Sequence, residues 1–183
     1  MRNLNKDKMY NTVIIDNFFD NPDYIVDYSK SLDYKKSDMR TEGNFWPGER
    51  SESIEKYDKD LFNFIVEKIL SSYYNFNFEK VLFEGANIYF HRIPSDMALL
   101  NSTHNDTGKV LAAVIYLNKD NSIKTGTTIC DKNGKSKVIV GNYFNTMVSY
   151  DATKLHTPTG YDVSSDFRLT ISAFIENIKI LEA

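Results

Sequence analysis

Phe167-Arg168-Leu169-Thr170-Ile171-Ser172-Ala173-Phe174-Ile175 is the stretch that decides the fold. Phe167, Leu169, Ile171, Ala173 and Ile175 fall at every second position, and Arg168, Thr170 and Ser172 stand between them, which is the period of a strand with one buried face. A guanidinium on the second face has two possible situations. It is solvated, as on a half-exposed antiparallel strand, or it turns inward and requires an anion, because an unpaired buried cation is costly. A dicarboxylic cosubstrate would provide that anion.

Moving outward from this strand, the same period recurs over Phe83–Phe90, Val110–Leu117, Thr127–Cys130, Val138–Val140 and Asn145–Tyr150, so the second half of the chain is predicted to be nearly all β. Asp131-Lys132-Asn133-Gly134 carries Asn-Gly, which tolerates positive φ in a tight hairpin, so the strands on either side should pair antiparallel. Many short strands separated by turn signals point to a sandwich or barrel. The first half reads differently. A β-branched run, Thr12–Ile15, precedes Asn21-Pro22, a cap and first helical position. Tyr24, Ile25, Tyr28 and Leu32 then recur at helical spacing to about Tyr34. Lys35–Ser53, with Gly43, Pro47 and Gly48 around Phe45 and Trp46, reads as a long loop. A second helix is expected from Asp58 to Tyr73, with Leu61, Phe62, Ile65, Ile69 and Tyr73 on one stripe. The expected class is α+β, mainly β, as one domain over 1–183: a helical part over 1–80 packed on one face of a β core over 81–183.

With 183 residues, 42% of them hydrophobic, the chain has enough apolar material for one substantial core. The net charge of −3 and the even spread of Lys and Arg make nucleic acid an unexpected partner. Cys130 stands alone and cannot form an internal disulfide. The polar start, Met1–Tyr10, lacks the apolar run of a signal peptide or anchor, so no membrane is expected and the cytoplasm is the simplest location.

The chain has three histidines. His104 and Asp106 lie in the polar segment Asn101-Ser102-Thr103-His104-Asn105-Asp106-Thr107-Gly108. Residues two apart on an extended chain point to the same side, so this imidazole and carboxylate can take neighbouring positions on one metal, and His156 from a distant strand can complete a face. Two His and one carboxylate leave coordination positions open, as suits Fe(II) and oxygen, whereas a structural zinc site would want four closed ligands. A lone His-x-Asp pair is more often a surface hydrogen bond, and His156 alone an ordinary loop histidine. Arg168, twelve residues beyond His156, is what links them.

His104-x-Asp106, His156 and Arg168-x-Thr170, in this order and spacing, resemble the Fe(II)/2-oxoglutarate-dependent dioxygenases, particularly their prolyl-4-hydroxylase-like branch. Ala113-Val114-Ile115-Tyr116-Leu117-Asn118 is similar to that family's Tyr-Leu-Asn strand, and Gly126-Thr127-Thr128 to its Gly-Gly-x-Thr segment, with Thr125 where the first glycine is usual. The similarity spans about Tyr89 to Glu176. Ile14-Ile15-Asp16-Asn17-Phe18-Phe19 and Trp46-Pro47-Gly48-Glu49-Arg50-Ser51 more loosely resemble small bacterial and phage members. The resemblance implies a double-stranded β-helix, a cupin-like jelly roll, with Fe(II) at its mouth on His104, Asp106 and His156. It implies 2-oxoglutarate as cosubstrate with its far carboxylate on Arg168, Thr170 beside it, and molecular oxygen. The implied reaction hydroxylates a C–H bond of an amino-acid residue or small molecule and releases succinate and carbon dioxide.

Tyr89 and Tyr116 are candidate hydrogen-bond donors to the cosubstrate carboxylate, or plain core aromatics. His91, next to Arg92, reads as a structural or surface histidine. Trp46 and Arg50 belong to a loop of the kind that orders over active sites. Two other functions compete: a non-catalytic jelly-roll module that keeps a metal or ligand, and a metal-dependent hydrolase or isomerase, which gives no reason for Arg168 and Thr170 together.

Overall fold

The computed structural model describes residues 10–37, 46–77, 79–99 and 103–181. In chain order these form β1 (Val13–Ile15), α1 (Pro22–Lys30), β2 (Tyr34–Lys36), β3 (Glu49–Ser51), α2 (Lys59–Ser71), β4 (Lys80–Phe83), β5 (Ala86–Pro94), β6 (Leu111–Tyr116), β7 (Ser122–Cys130), β8 (Ser136–Asn142), β9 (Met147–Asp151), β10 (His156–Pro158), β11 (Phe167–Ile175) and β12 (Ile178–Leu181). The protein is mainly β. A seven-stranded antiparallel sheet runs β1-β9-β6-β11-β5-β3-β2, a three-stranded sheet runs β10-β7-β8, and β12 pairs with β4. Among the described residues neither of the larger sheets closes on itself. No described helix is long and apolar enough to cross a membrane.

The alternation at 167–175 determines how the layers stack. Leu169, Ile171, Ala173 and Ile175 face the helices, where Phe62, Ile65, Val66 and Ile69 of α2 and Ile25 of α1 join Phe18, Phe90 and Ile115 in the larger core. Arg168, Thr170 and Ser172 face the other way, toward the smaller sheet. On that side a second core joins Ala112 and Tyr116 of β6, Val148 and Tyr150 of β9, Ile129 of β7 and Val140 of β8, so the two sheets lie face to face. Between β7 and β8 the approach is close enough that a Cβ on Gly126 would overlap the Val140 carbonyl.

The helices start where capping chemistry directs. Asn21 Oδ1 accepts from the Tyr24 amide at 3.2 Å and Asp58 Oδ1 from the Leu61 amide at 2.9 Å, each satisfying one amide left free in a first turn. The Asn-Gly hairpin is also present: Gly134 has φ of 76° and β7 pairs antiparallel with β8.

Three expectations need correction. The first helix ends at Lys30, not near Tyr34, because Ser31 caps it and Tyr34 opens β2. Phe83–Phe90 is two strands, because Gly85 at φ 78° turns the chain and sends β4 off to pair with β12. Lys35–Ser53 is not all loop: its ends are the short strands β2 and β3, paired as Lys35 with Arg50 and Lys36 with Glu49, and β3 docks on β5. Three charged or polar residues are too few to show alternation, so these edge strands read as loop. With β1 they also carry residues of the first half into the large sheet, so the division between 1–80 and 81–183 is not one of helix against sheet. Gly43 and Phe45 of the expected loop, Asn101 and Ser102 of the polar segment, and residues 1–9 of the polar start lie outside the described residues.

Candidate metal centre and its cavity

The segment carrying His104 is tied down by backbone pairing. His104 donates its amide to the His156 carbonyl at 3.0 Å and accepts from the His156 amide at 2.8 Å, while the Asp106 amide donates to the Ala152 carbonyl at 2.9 Å. An isolated antiparallel bridge therefore brings together residues 52 positions apart in sequence, His104 and His156. The ligand atoms of His104, Asp106 and His156 all lie within 4.8 Å of one another. His104 Nε2 is 3.8 Å from Asp106 Oδ1, and His156 Nε2 is 3.4 Å from Asp106 Oδ2.

Hydrogen bonding decides what these atoms can do. His156 Nδ1 lies 3.0 Å from the Lys154 carbonyl, which can only accept, so Nδ1 carries the proton and Nε2 presents its lone pair. Burial pulls the His156 pKa below its ordinary value, with the Asp106 carboxylate opposing, which favours the neutral ring a metal needs. Asp106 Oδ2 is buried and, among the described residues, has no hydrogen-bond partner. A buried carboxylate oxygen without a donor, facing the lone pair of a neutral imidazole, is unfavourable until a cation lies between them. This donor set fits a divalent metal with two imidazoles, one carboxylate and open positions, the set suited to Fe(II).

The triad opens on a cavity of about 430 Å³. Arg168 and Thr170 line it, as do Ser172 and Phe174 from the same strand. Arg168 is 4% exposed; its Nε donates to the Thr125 carbonyl at 2.6 Å and its Nη2 to the Gly126 carbonyl at 3.2 Å. Burial pulls its pKa down, and the hydroxyls of Tyr116, Tyr161 and Tyr150 oppose this. The departure at Thr125 is thus absorbed, since a backbone oxygen carries the contact. Thr170 Oγ1 is 3.5 Å from the His91 carbonyl and its side chain faces the cavity. Tyr116 is fully buried, its ring 5.6 Å from the Arg168 guanidinium and its hydroxyl donating to Thr127 Oγ1 at 2.8 Å. Tyr89 is on the same face but not in the cavity lining: its hydroxyl donates to Asn87 Oδ1 at 3.1 Å and its ring lies against Arg50.

Other residues gather in and around this wall. Of the two alternatives for His91 the structural one holds: it is buried and lines the cavity, its Nε2 2.6 Å from the Pro47 carbonyl. Burial, then the charges of Arg50 and Arg168, hold its pKa down to about 3, so it is neutral at physiological pH. The signal was present, because Tyr89 and His91 are two apart on one strand and share a face. The Tyr150 ring lies tilted against the His156 ring, centroids 4.8 Å apart, and the pKa of its hydroxyl is raised well above the ordinary range by burial and by Asp106. Tyr161 is buried with its hydroxyl unpartnered. Trp46 and Arg50 do line the cavity. Cys130 is buried and outside the cavity lining, with its thiol pKa raised by burial.

Across residues 3–142 the sequence matches the profile of a family described as a family of unknown function (DUF6445). The chain belongs to that family. The DUF6445 span contains Arg50, His104 and Asp106 and ends before His156 and Arg168. No curated protein matches the chain by sequence. Its fold is that of the 2OG-Fe(II) oxygenases. An oxidoreductase of that family from Burkholderia pseudomallei aligns with a TM-score of 0.65 at 10% identity, over 90% of this chain and 84% of its own. A prolyl hydroxylase from Trichoplax adhaerens, in complex with a hypoxia inducible factor oxygen degradation domain peptide fragment, aligns at 0.64 and 12% identity, over 91% and 83%. A Pseudomonas putida prolyl-4-hydroxylase aligns at 0.57 and 13% identity, over 92% and 94%.

Proposed function

We propose that this protein is a 2-oxoglutarate- and Fe(II)-dependent dioxygenase that hydroxylates an unactivated C–H bond of an amino-acid residue or small molecule. The observation that carries this reading is the convergence of His104, Asp106 and His156, with Asp106 Oδ2 buried and unpartnered, on a cavity that also holds the buried Arg168. The two facing sheets are read as the halves of a double-stranded β-helix, and the triad lies at their mouth.

His104 Nε2, an Asp106 oxygen and His156 Nε2 would hold the iron on one face and leave the cavity side open. With 2-oxoglutarate and oxygen, bound Fe(II) supplies an oxidation in which the cosubstrate becomes succinate and carbon dioxide and one oxygen atom enters a substrate C–H bond. The protein's own residues bind and position. Arg168 receives the far carboxylate through the N–H groups not committed to Thr125 and Gly126, and Thr170 stands beside it on the same face. Tyr116 and Tyr150 pack the inner wall against water. His91 holds the Pro47 carbonyl and thereby the chain segment that brings Trp46 over the cavity.

Succinate formation from 2-oxoglutarate on addition of Fe(II) tests the reading. Asp106→Ala removes the only anionic ligand and should abolish that turnover and the binding of Mn(II), while the fold survives, since Asp106 lies outside both apolar cores. Wild-type protein that binds Mn(II) but never yields succinate would favour the non-catalytic module.

A further inference from the structure

A second guanidinium faces this cavity; the Asp106 carboxylate acts on it from a distance, but among the described residues no anion pairs with it. Arg50 comes from β3, where it pairs with His91 of β5, so it sits on the cavity side of the sheet two strands from Thr170. Its Nε is buried without an acceptor, and among the described residues it makes no ion pair. Its neighbour Glu49 is on the opposite face, held by Arg92 with Oε2 2.8 Å from Nε and 2.7 Å from Nη2. Aromatic rings enclose Arg50 instead: Trp46 at 4.7 Å, Tyr89 at 5.7 Å and Phe174 at 5.9 Å from its guanidinium carbon. Among the described residues the Trp46 indole Nε1, also buried, has no acceptor either.

Two neighbouring side chains on one wall of a ligand cavity thus each hold an orphan N–H, and one of them is a cation. Leaving such donors unmet is costly, and ring faces relieve only part of that cost. The contrast with Arg168 is informative, because two backbone carbonyls receive Arg168, while among the described residues no acceptor meets the Arg50 Nε. What fits is an acceptor that arrives with a ligand.

We propose that Arg50 and Trp46 form a carboxylate-binding subsite, separate from the Arg168 subsite, so that the primary substrate is a carboxylic acid whose apolar part lies against Trp46 and Phe174. A carboxylate matches a single planar guanidinium and one indole donor in number and geometry, and a monoanion is what one cation can neutralise. A phosphate dianion would call for more donors than this wall offers. The proposal rests on the oxygenase reading for calling the bound acid a substrate; the subsite itself does not depend on it.

Trp46 is the only tryptophan in the chain, so its emission reports on this subsite alone. Full-length protein is titrated with benzoate and, separately, with benzamide, a neutral molecule of the same shape, both metal-free and saturated with Mn(II) and 2-oxoglutarate. Benzoate should shift the Trp46 emission saturably in both conditions, and benzamide should bind at least about tenfold more weakly, the cost of losing a charge-assisted pair. Arg50→Gln should abolish the benzoate response and Arg50→Lys should retain a weakened one, with far-UV circular dichroism showing whether each variant is folded. Equal responses to acid and amide overturn the proposal even if Arg50→Gln does not fold. So does a benzoate response that survives in folded Arg50→Gln, or one that disappears once 2-oxoglutarate occupies Arg168. If benzoate binds through Arg50 but Fe(II)-loaded protein yields no succinate, the oxygenase reading fails and the carboxylate subsite stands.

Discussion

Replacing Arg168 by lysine keeps the charge and changes only the number and direction of donors, which makes it the sharpest probe of how 2-oxoglutarate would be held. A guanidinium has five N–H donors; the Thr125 carbonyl takes one from Nε and the Gly126 carbonyl one from Nη2, which leaves three for a carboxylate. An ammonium has three in all. If it satisfies the same two carbonyls it has a single donor left, and if it turns to the carboxylate it strands a buried carbonyl. Either way about one charge-assisted hydrogen bond is lost, worth about 1.5–3 kcal/mol. That corresponds to a roughly ten- to hundredfold weaker dissociation constant. Arg168→Ala removes the charge as well and should cost about 2–5 kcal/mol in binding. Neither change touches a metal ligand, so Mn(II) binding should persist in both. Titration calorimetry of 2-oxoglutarate into Mn(II)-loaded protein measures the series. Wild-type affinity in both variants would refute the assignment and leave a metal triad without a known cosubstrate.

Two further outcomes follow from the packing around the cavity. His91 has a folded-state pKa of about 3, below its unfolded value of about 6.5, so the unfolded chain binds more protons between those pH values and stability is lost as pH falls through that window. Between pH 7 and pH 5 this one group should account for about 2 kcal/mol. Denaturant unfolding of His91→Gln should therefore be less steep with pH than wild type, and parallel slopes would show that His91 is protonated in the folded protein. Gly126→Ala places a Cβ against the Val140 backbone, where no side-chain rotation can relieve the overlap, so β7 and β8 must part. A loss on the order of 2–4 kcal/mol is expected, and a thermal melt unchanged from wild type would mean that the two strands are not this close.

How far the sequence carried the reading depended on element length. The nine residues of β11 contain enough alternation to show both faces and to put Arg168 opposite the apolar one; its burial is what shows that this second face is turned inward. The cap at Asn21 was legible because it is local: one side chain and an amide three residues on. The two short edge strands β2 and β3 were not, because a three-residue strand has no period and is recognised only through its partner. The division at Gly85 was missed for a related reason, since a glycine at positive φ inside an apolar run changes the path of the chain without changing its pattern. The triad was legible only from His104-x-Asp106, His156 and Arg168 taken together, and the reason its first two members are held beside His156 is a pair of backbone hydrogen bonds that no side-chain spacing reveals.

His91 connects the parts of the cavity that sequence order separates. It pairs across β5 with Arg50 on one side and with Thr170 of β11 on the other, so it stands between the strand that carries Arg50 and the strand that carries Arg168. A protonated imidazole there would add a third cation to a dry wall, and its burial between two guanidiniums is what keeps it neutral. As a neutral ring it donates to the Pro47 carbonyl, and the same segment is pressed onto β5 at Gly48, where a Cβ would overlap the Arg92 carbonyl. Trp46 and Arg50 are thereby fixed from a strand that is not their own. Two guanidiniums and a single carboxylate, Asp106, line the cavity. A dication at the triad would increase that positive excess, the two carboxylates of 2-oxoglutarate would reduce it, and a further carboxylate at Arg50 would close it. The charge of the wall thus selects acids at both of its arginines, and which acid enters where is decided by the donors each guanidinium has left.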